Sequence, residues 1–494
     1  MVQAQPIVHT ENGDVAGVED RGAIRFRGIP FAASPFGAHR FQPPAAAADW
    51  DGIRDTADFG VGVPQPRFDG DPFDSYFNPR VQGPDCLTLD IWTPDISTSG
   101  LPVLVWIHGG GFMTGTGSAP AHDGYTFARD GFVHVGINYR LGIDGFTFFD
   151  DGVENLGLLD QIAALEWVQR NIAAFGGDPA QVTIFGQSGG GVAVMDLLGM
   201  PGARDLFARA IAMSGSPRAA TTPDKARRVT QRLAEHFGVS PTREAFATVP
   251  IERTVAATLP MAMEFLDFSQ TGVDAFTVSP YRAVYGTASM PLSPVTAASE
   301  STVPLMTGTL RNEATGFLTA LGLLPDLPEV VGRQMLQVLG ADGAVERAYR
   351  EGPRGLVSPA ELVEAAWTDW AFRIPTLDLV DARTAPTHVY EFRWESQMYP
   401  PRLGANHALE VPFMRDDLAA MRAVGAAGDA LLGPDAPADL AQRMHAAFAA
   451  FARTGDPGWP AYGSPERSTM VFDAVDSLDN DPAAVERHAW EDAR

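Results

Sequence analysis

The sequence predicts an α/β protein with a central, mostly parallel sheet flanked by helices, and three stretches carry that expectation. In the first, the apolar run Val182-Thr183-Ile184-Phe185 meets Gly186-Gln187-Ser188-Gly189-Gly190-Gly191, and Val192-Ala193-Val194-Met195 then starts a helix. That is strand, sharp turn, helix, with a serine at the turn and small residues around it so that strand and helix can approach. In the second, the run from Pro102 to Ile107 is continuously apolar, as in a strand buried on both faces. In the third, the stretch from Leu158 to Ile172 carries apolar residues at helical spacing between the strand from Phe132 to Asn138 and the Ser188 strand. Strands alternating with a helix call for parallel pairing through crossovers.

The remaining elements follow in order. Val8 to Ala16 and Ala23 to Arg27 read as strands with a turn at Asn12-Gly13, an antiparallel edge to the larger sheet. Residues 61 to 84, rich in Pro, Gly and aromatics (Phe68, Phe73, Tyr76, Phe77), read as an ordered loop, either surface packing or a pocket mouth. Leu87 to Trp92 alternates as a strand. Gly176-Gly177 ends the crossover helix and Asp178-Pro179 turns the chain into the Ser188 strand. Ala208 to Met213 and Val303 to Gly308 are further strands, and Thr387 to Trp394 is the last clear one. The cluster Met261, Met263, Phe265 and Phe268 reads as core packing, with a pocket wall as the alternative. Leu440 to Arg453 is a closing helix, followed by a polar tail. We expect a single domain over 1–494, with cap-like insertions at about 221–290 and 318–381.

Composition narrows the function. A hydrophobic share of 45% with 20% charged residues describes an ordinary globular chain. The formal charge of -25 disfavours nucleic acid and anionic membranes as partners. No apolar run is long enough for a bilayer, and the first residues lack the pattern of an export signal, so a cytoplasmic location is expected. Cys86 is the one cysteine, which rules out an intramolecular disulfide and a cysteine-based zinc site. Lys225 is the one lysine, so arginine carries nearly all positive charge.

Chemistry gathers at strand ends. Ser188 stands at the carboxyl end of its strand, with the amide of Gly189 aimed at whatever the serine attacks. His108-Gly109-Gly110-Gly111-Phe112 follows the buried 102–107 strand, and its bare amides can converge on a negative oxygen. A serine hydroxyl needs a base, and a neutral histidine needs a carboxylate to fix its tautomer. Glu313 follows the 303–308 strand and His407 lies beyond the 387–394 strand. The order Ser, acid, His is that of the α/β-hydrolase fold.

Almost end to end, the sequence resembles the type-B carboxylesterase and cholinesterase family. The likeness runs through Gly28-Ile29-Pro30-Phe31-Ala32, Asp85 to Leu89, His108 to Phe112, Asn155 to Gln161, Asn171 to Pro179, Gly186 to Gly190 and Gly404 to Glu410. The resemblance implies Ser188 as nucleophile, His407 as general base and acid, and Glu313 as the orienting carboxylate. It further implies oxyanion-hole amides at Gly110, Gly111 and Gly189, and Ser214 beside the acid and histidine. No cofactor and no metal are implied. Gln187 and Gly189 stand where relatives usually have Glu and Ala, so a fixed negative charge beside the serine is gone. Cys86 lacks the partner many relatives have, and Pro84 replaces a glutamate that would pair with Arg40; both losses bear on the 61–84 loop.

The expected function is hydrolysis of small-molecule carboxylic esters through an acyl-enzyme. Carbamate or activated-amide hydrolysis on the same groups is the alternative, and a non-catalytic binding protein the second. The acyl and alcohol preferences and the oligomeric state are not readable.

Overall fold

A computed structural model describes residues 5–67, 78–397, 403–423, 425–463 and 465–493. Its strands are β1 (Ile7–Thr10), β2 (Gly13–Ala16), β3 (Val18–Asp20), β4 (Ala23–Pro30), β5 (Ile53–Asp55), β6 (Thr88–Thr93), β7 (Leu101–Ile107), β8 (Val133–Ile137), β9 (Gly177–Gln187), β10 (Arg209–Met213), β11 (Leu305–Leu310), β12 (Thr387–Phe392), β13 (Ser468–Phe472) and β14 (Ser477–Asn480). Eleven of them form one sheet in the order β14-β13-β12-β11-β10-β9-β7-β8-β6-β4-β3. Pairing is parallel from β13 through β8 and antiparallel at both margins.

The apolar run in β7 explains its central place. Val103, Val105 and Ile107 join the core on one face of the sheet, while Leu104 and Trp106 join the core on the other. A period-two backbone with no polar side chain can satisfy both faces only in the middle of a sheet. The crossover helix Leu156–Asn171 covers the first face and the helix Ala438–Thr454 the second. A third core, built around Met335, Leu336, Trp367 and Trp490, lies among helices that include Glu329–Leu339 and Pro359–Thr368.

Several expectations need correction. The β1–β2 hairpin does not edge the main sheet; with β5 it forms a separate three-stranded sheet. β12 is not the last strand, because the polar tail supplies β13 and β14 and a helix, Ala484–Asp492. Polar strands at a sheet margin bury few side chains, so they carry little apolar signal. That final helix sends Trp490 into the third core, where its indole donates to the Tyr349 hydroxyl at 2.9 Å. Asp178-Pro179 is not a turn before β9 but lies within it, where the register against β7 shifts between Leu101 and Val103. The Met and Phe cluster divides: Met261 and Phe265 are buried, while Met263 is exposed.

Two sequence departures have local answers. Arg40, without a glutamate at position 84, pairs instead with Asp144 at 2.6 Å and donates to Thr254 at 3.2 Å, both buried. The base of the 61–84 loop is tied by Gly62 to Val81 at 2.8 Å and by the Gln65 amide, which pairs with both backbone groups of Gly115. The aromatics at Phe68, Phe73, Tyr76 and Phe77 lie outside the described residues.

Candidate active site

Ser188 sits between β9 and the helix Gly189–Leu197 with φ 57° and ψ -123°. A non-glycine residue there is strained, and the surrounding contacts hold it. Its amide donates to Met213 at 2.9 Å on β10, and its carbonyl accepts from Val192 at 2.8 Å in the helix. The flanking glycines are required by close approach: a Cβ on Gly190 would stand 2.0 Å from the Ile107 carbonyl oxygen, and one on Gly186 would stand 2.5 Å from Gly190. Sequence and strain therefore meet at one turn, which lifts the serine above the sheet.

Glu313 and His407 reach the same end of the sheet from β11 and β12. Their loops are joined by a parallel bridge between Asn312 and Asn406, where the Asn312 amide donates to Ala405 at 3.1 Å. The structure brings His407 Nδ1 to 2.6 Å from Glu313 Oε2. The other carboxylate oxygen accepts from the Leu310 amide at 2.8 Å, which fixes the group's orientation. Glu313 is fully buried and His407 nearly so. Phe317 and Phe372 flank the imidazole, with ring centroids 5.1 and 5.2 Å away. The sequence marks neither ring: Phe372 is one apolar residue of the helical 318–381 stretch and Phe317 lies just before it.

His407 Nε2 is met at 3.3 Å by the side-chain amide of Gln187, and no hydrogen bond between the Ser188 hydroxyl and His407 is present. An N–H donated to Nε2 leaves the ring proton on Nδ1, facing Glu313, which is the tautomer a base needs toward a serine. Contacts of this kind tighten when substrate arrives.

Behind the acid lies a second carboxyl. Ser214, with φ 47°, donates to Glu410 Oε1 at 3.3 Å, and Glu410 is completely buried. Burial, reinforced by the neighbouring Glu313, pushes the Glu410 carboxyl well above the usual range. Both effects favour the uncharged form of Glu410.

Gly110, Gly111 and Gly189 line the same cavity as Ser188 and His407. Gly110 has φ 108°, and a Cβ there would lie 2.1 Å from the Thr114 carbonyl oxygen. A Cβ on Gly189 would lie 3.1 Å from the Gly111 amide nitrogen, so the two loops bring their amides together. The Gly189 amide, first in its helix, has no intrahelical acceptor. Beside these groups is a cavity of about 230 Å³, whose walls include Met113, Val192, Phe276, Val278, Phe317 and Phe372. A serine, a histidine paired with a carboxylate, bare backbone amides and an apolar chamber are the groups that acyl transfer requires. No cluster of metal-ligating side chains occurs among the described residues.

The fold and this constellation define an α/β-hydrolase. The profile of the carboxylesterase family matches residues 4–480. The chain is 34% identical to the para-nitrobenzyl esterase of Bacillus subtilis (strain 168), over 97% of both proteins. It is 35% identical to the phenmedipham hydrolase of Pseudarthrobacter oxydans, over 94% of this chain and 95% of that protein. Among solved structures, the Geobacillus stearothermophilus carboxylesterase EST55 superposes with a TM-score of 0.84 at 32% identity, covering 98% of this chain and 99% of that one. The chain belongs to the carboxylesterase family and is a carboxylic ester hydrolase. No helix among the described residues is long and apolar enough to cross a membrane.

Proposed function

We propose that this single-domain hydrolase cleaves esters through an acyl-enzyme on Ser188, with His407 as general base and acid and Glu313 as its orienting carboxylate. The observation that carries the reading is the 2.6 Å contact between His407 and Glu313, placed over a strained serine turn at the ends of β9, β11 and β12. Ser188 attacks the ester carbonyl while His407 Nε2 takes the hydroxyl proton. The amides of Gly110, Gly111 and Gly189 receive the negative oxygen of the tetrahedral intermediate. His407 returns the proton to the departing alcohol; water then attacks the acyl group by the same route. Gln187 must yield Nε2 during this cycle, and Ser214 is bound to Glu410 rather than to the acid or the histidine directly.

The apolar chamber favours esters with apolar or aromatic groups. Carbamate hydrolysis is the alternative on the same machinery, because the attacking groups would not differ, and the named activity of one relative makes phenmedipham a natural probe. A cytoplasmic location belongs to the same proposal, supported by the absence of paired cysteines. A fluorophosphonate probe tests the core of it: mass spectrometry should find the adduct on Ser188, and Ser188→Ala should abolish it. An adduct on another residue overturns the assignment. Initial rates on matched nitrophenyl esters, carbamates and anilides then decide the leaving-group class.

A further inference from the structure

A second cavity, of about 380 Å³, is larger than the one beside Ser188 and separate from its chemistry. It lies between the helices Pro223–Phe237 and Ile251–Phe265 and the segment 270–282. Among the described residues only Tyr281 and Arg282 line both cavities, so this dipeptide forms the wall between them. The Tyr281 hydroxyl anchors that wall by donating to the Thr258 carbonyl at 3.1 Å.

The charges in the second cavity are unusual for this chain. With a net charge of -25, the protein places its one lysine here, together with Arg228, Arg232 and Arg282. Arg232 is matched by Glu264 at 3.0 Å. Lys225 and Arg282 share one carboxylate, Asp274, at 2.7 and 3.6 Å. Glu235 also lines the cavity, so four cations face three carboxylates and one positive charge is left over. Arg282 is almost wholly buried, its guanidinium stacks 5.3 Å from the Phe265 ring centroid, and its Nε has no hydrogen-bond acceptor among the described residues. A buried guanidinium with an idle donor is unfavourable unless something supplies the missing oxygen. Around it the wall is apolar, with Val229, Leu233, Met261 and Phe265. Charge-assisted bonds from arginine and lysine select a carboxylate, and the apolar wall selects a chain attached to it.

We propose that this cavity is a second ligand site for a carboxylate carrying an apolar chain, held by Lys225 and Arg282 on the far side of the Tyr281–Arg282 wall from Ser188. The free acid released by ester cleavage and an unrelated fatty acid share this chemistry, and the site takes either. The proposal concerns binding, so it stands or falls independently of turnover.

The single lysine makes the test direct. Reductive methylation of the whole protein with 13C-formaldehyde keeps the charge of Lys225 and gives it the only side-chain amine resonance. At physiological ionic strength, octanoate should shift that resonance saturably, and octanamide should bind at least about tenfold more weakly, having no charge to offer. Arg282→Met should weaken octanoate by a similar factor; if that variant does not fold, Lys225→Met measured by calorimetry should show a severalfold loss. A product acid compared with octanoate distinguishes the source of the ligand. Absence of a saturable shift, equal binding of octanamide, or wild-type affinity in the folded variant overturns the site.

Discussion

The side-chain amide of Gln187 lies 3.3 Å from His407 Nε2, on the ring nitrogen opposite the one that meets Glu313 at 2.6 Å. The residue preceding the serine thus touches the base and is neutral. In an effective dielectric near 20, a charge about 6 Å from a cationic substrate group is worth roughly 3 kcal/mol before screening and desolvation reduce it. Without that charge, neutral esters should outperform choline esters of the same acyl chain. Gln187→Glu should narrow the gap severalfold. Both comparisons belong at physiological ionic strength, because the overall charge of -25 attracts cations at low salt. A wild-type preference for the choline ester over its uncharged isostere would show that another part of the pocket supplies a cation site.

Ser188→Ala and His407→Ala should each lower kcat by roughly a thousandfold or more, and the double variant should be little worse, because nucleophile and base act as a unit. Near-additive losses would sink the assignment.

The two buried carboxyls should separate under the same assay. Glu313→Gln breaks the 2.6 Å contact that fixes the His407 tautomer and should lower kcat steeply. Glu410→Gln keeps an uncharged side chain where burial disfavours a charge, leaves the His407–Glu313 contact intact and should be milder. The reverse ranking would move the orienting role to Glu410.

Gly110→Ala places a methyl group against the Thr114 carbonyl, where a Cβ would stand only 2.1 Å away. Displacing this loop should lower kcat by roughly 10²–10³, the usual effect of losing an oxyanion donor. Gly189→Ala meets its nearest neighbour at 3.1 Å and should retain far more activity. Steady-state kinetics with circular dichroism on both variants checks the contrast.

Asp196 gives a pH prediction. Both of its carboxyl oxygens are buried without a hydrogen-bond partner among the described residues, and burial holds its pKa well above the ordinary 3.8. Below pH 3.8 the folded and unfolded states are both protonated, and the group's contribution to stability is fully present. As pH rises toward the folded value, the unfolded state releases its proton first and stability falls, by up to about 1.4 kcal/mol per pH unit. Asp196→Asn lacks this slope. Its melting temperature should gain on the wild type progressively as pH rises; parallel curves would mean that Asp196 is ionised in the folded protein.

The apolar strands, the glycine-bounded serine and the order of serine, acid and histidine were legible because each is a local pattern with a local cause. A both-face buried strand must be continuously apolar, as β7 is, and a strained elbow must have small neighbours, as Ser188 has. The separate β1–β2–β5 sheet and the polar margin strands β13 and β14 left no such mark, since weakly apolar strands are recruited by whatever edge lies nearby.

Within the site, Ser188, Glu313 and His407 are legible in the sequence alone, but the convergence of residues up to 219 positions apart depends on the order in which β9, β11 and β12 are set in one sheet. Only the folded chain decided that Gln187 reaches His407, that Phe317 and Phe372 clamp its ring, and that Arg40 finds Asp144. These are contacts between residues distant in sequence, set by how layers pack, and no spacing rule encodes them. The charge on Lys225 could be counted from the sequence; that it shares Asp274 with the buried Arg282 was determined by the packing of two helices against the 270–282 segment.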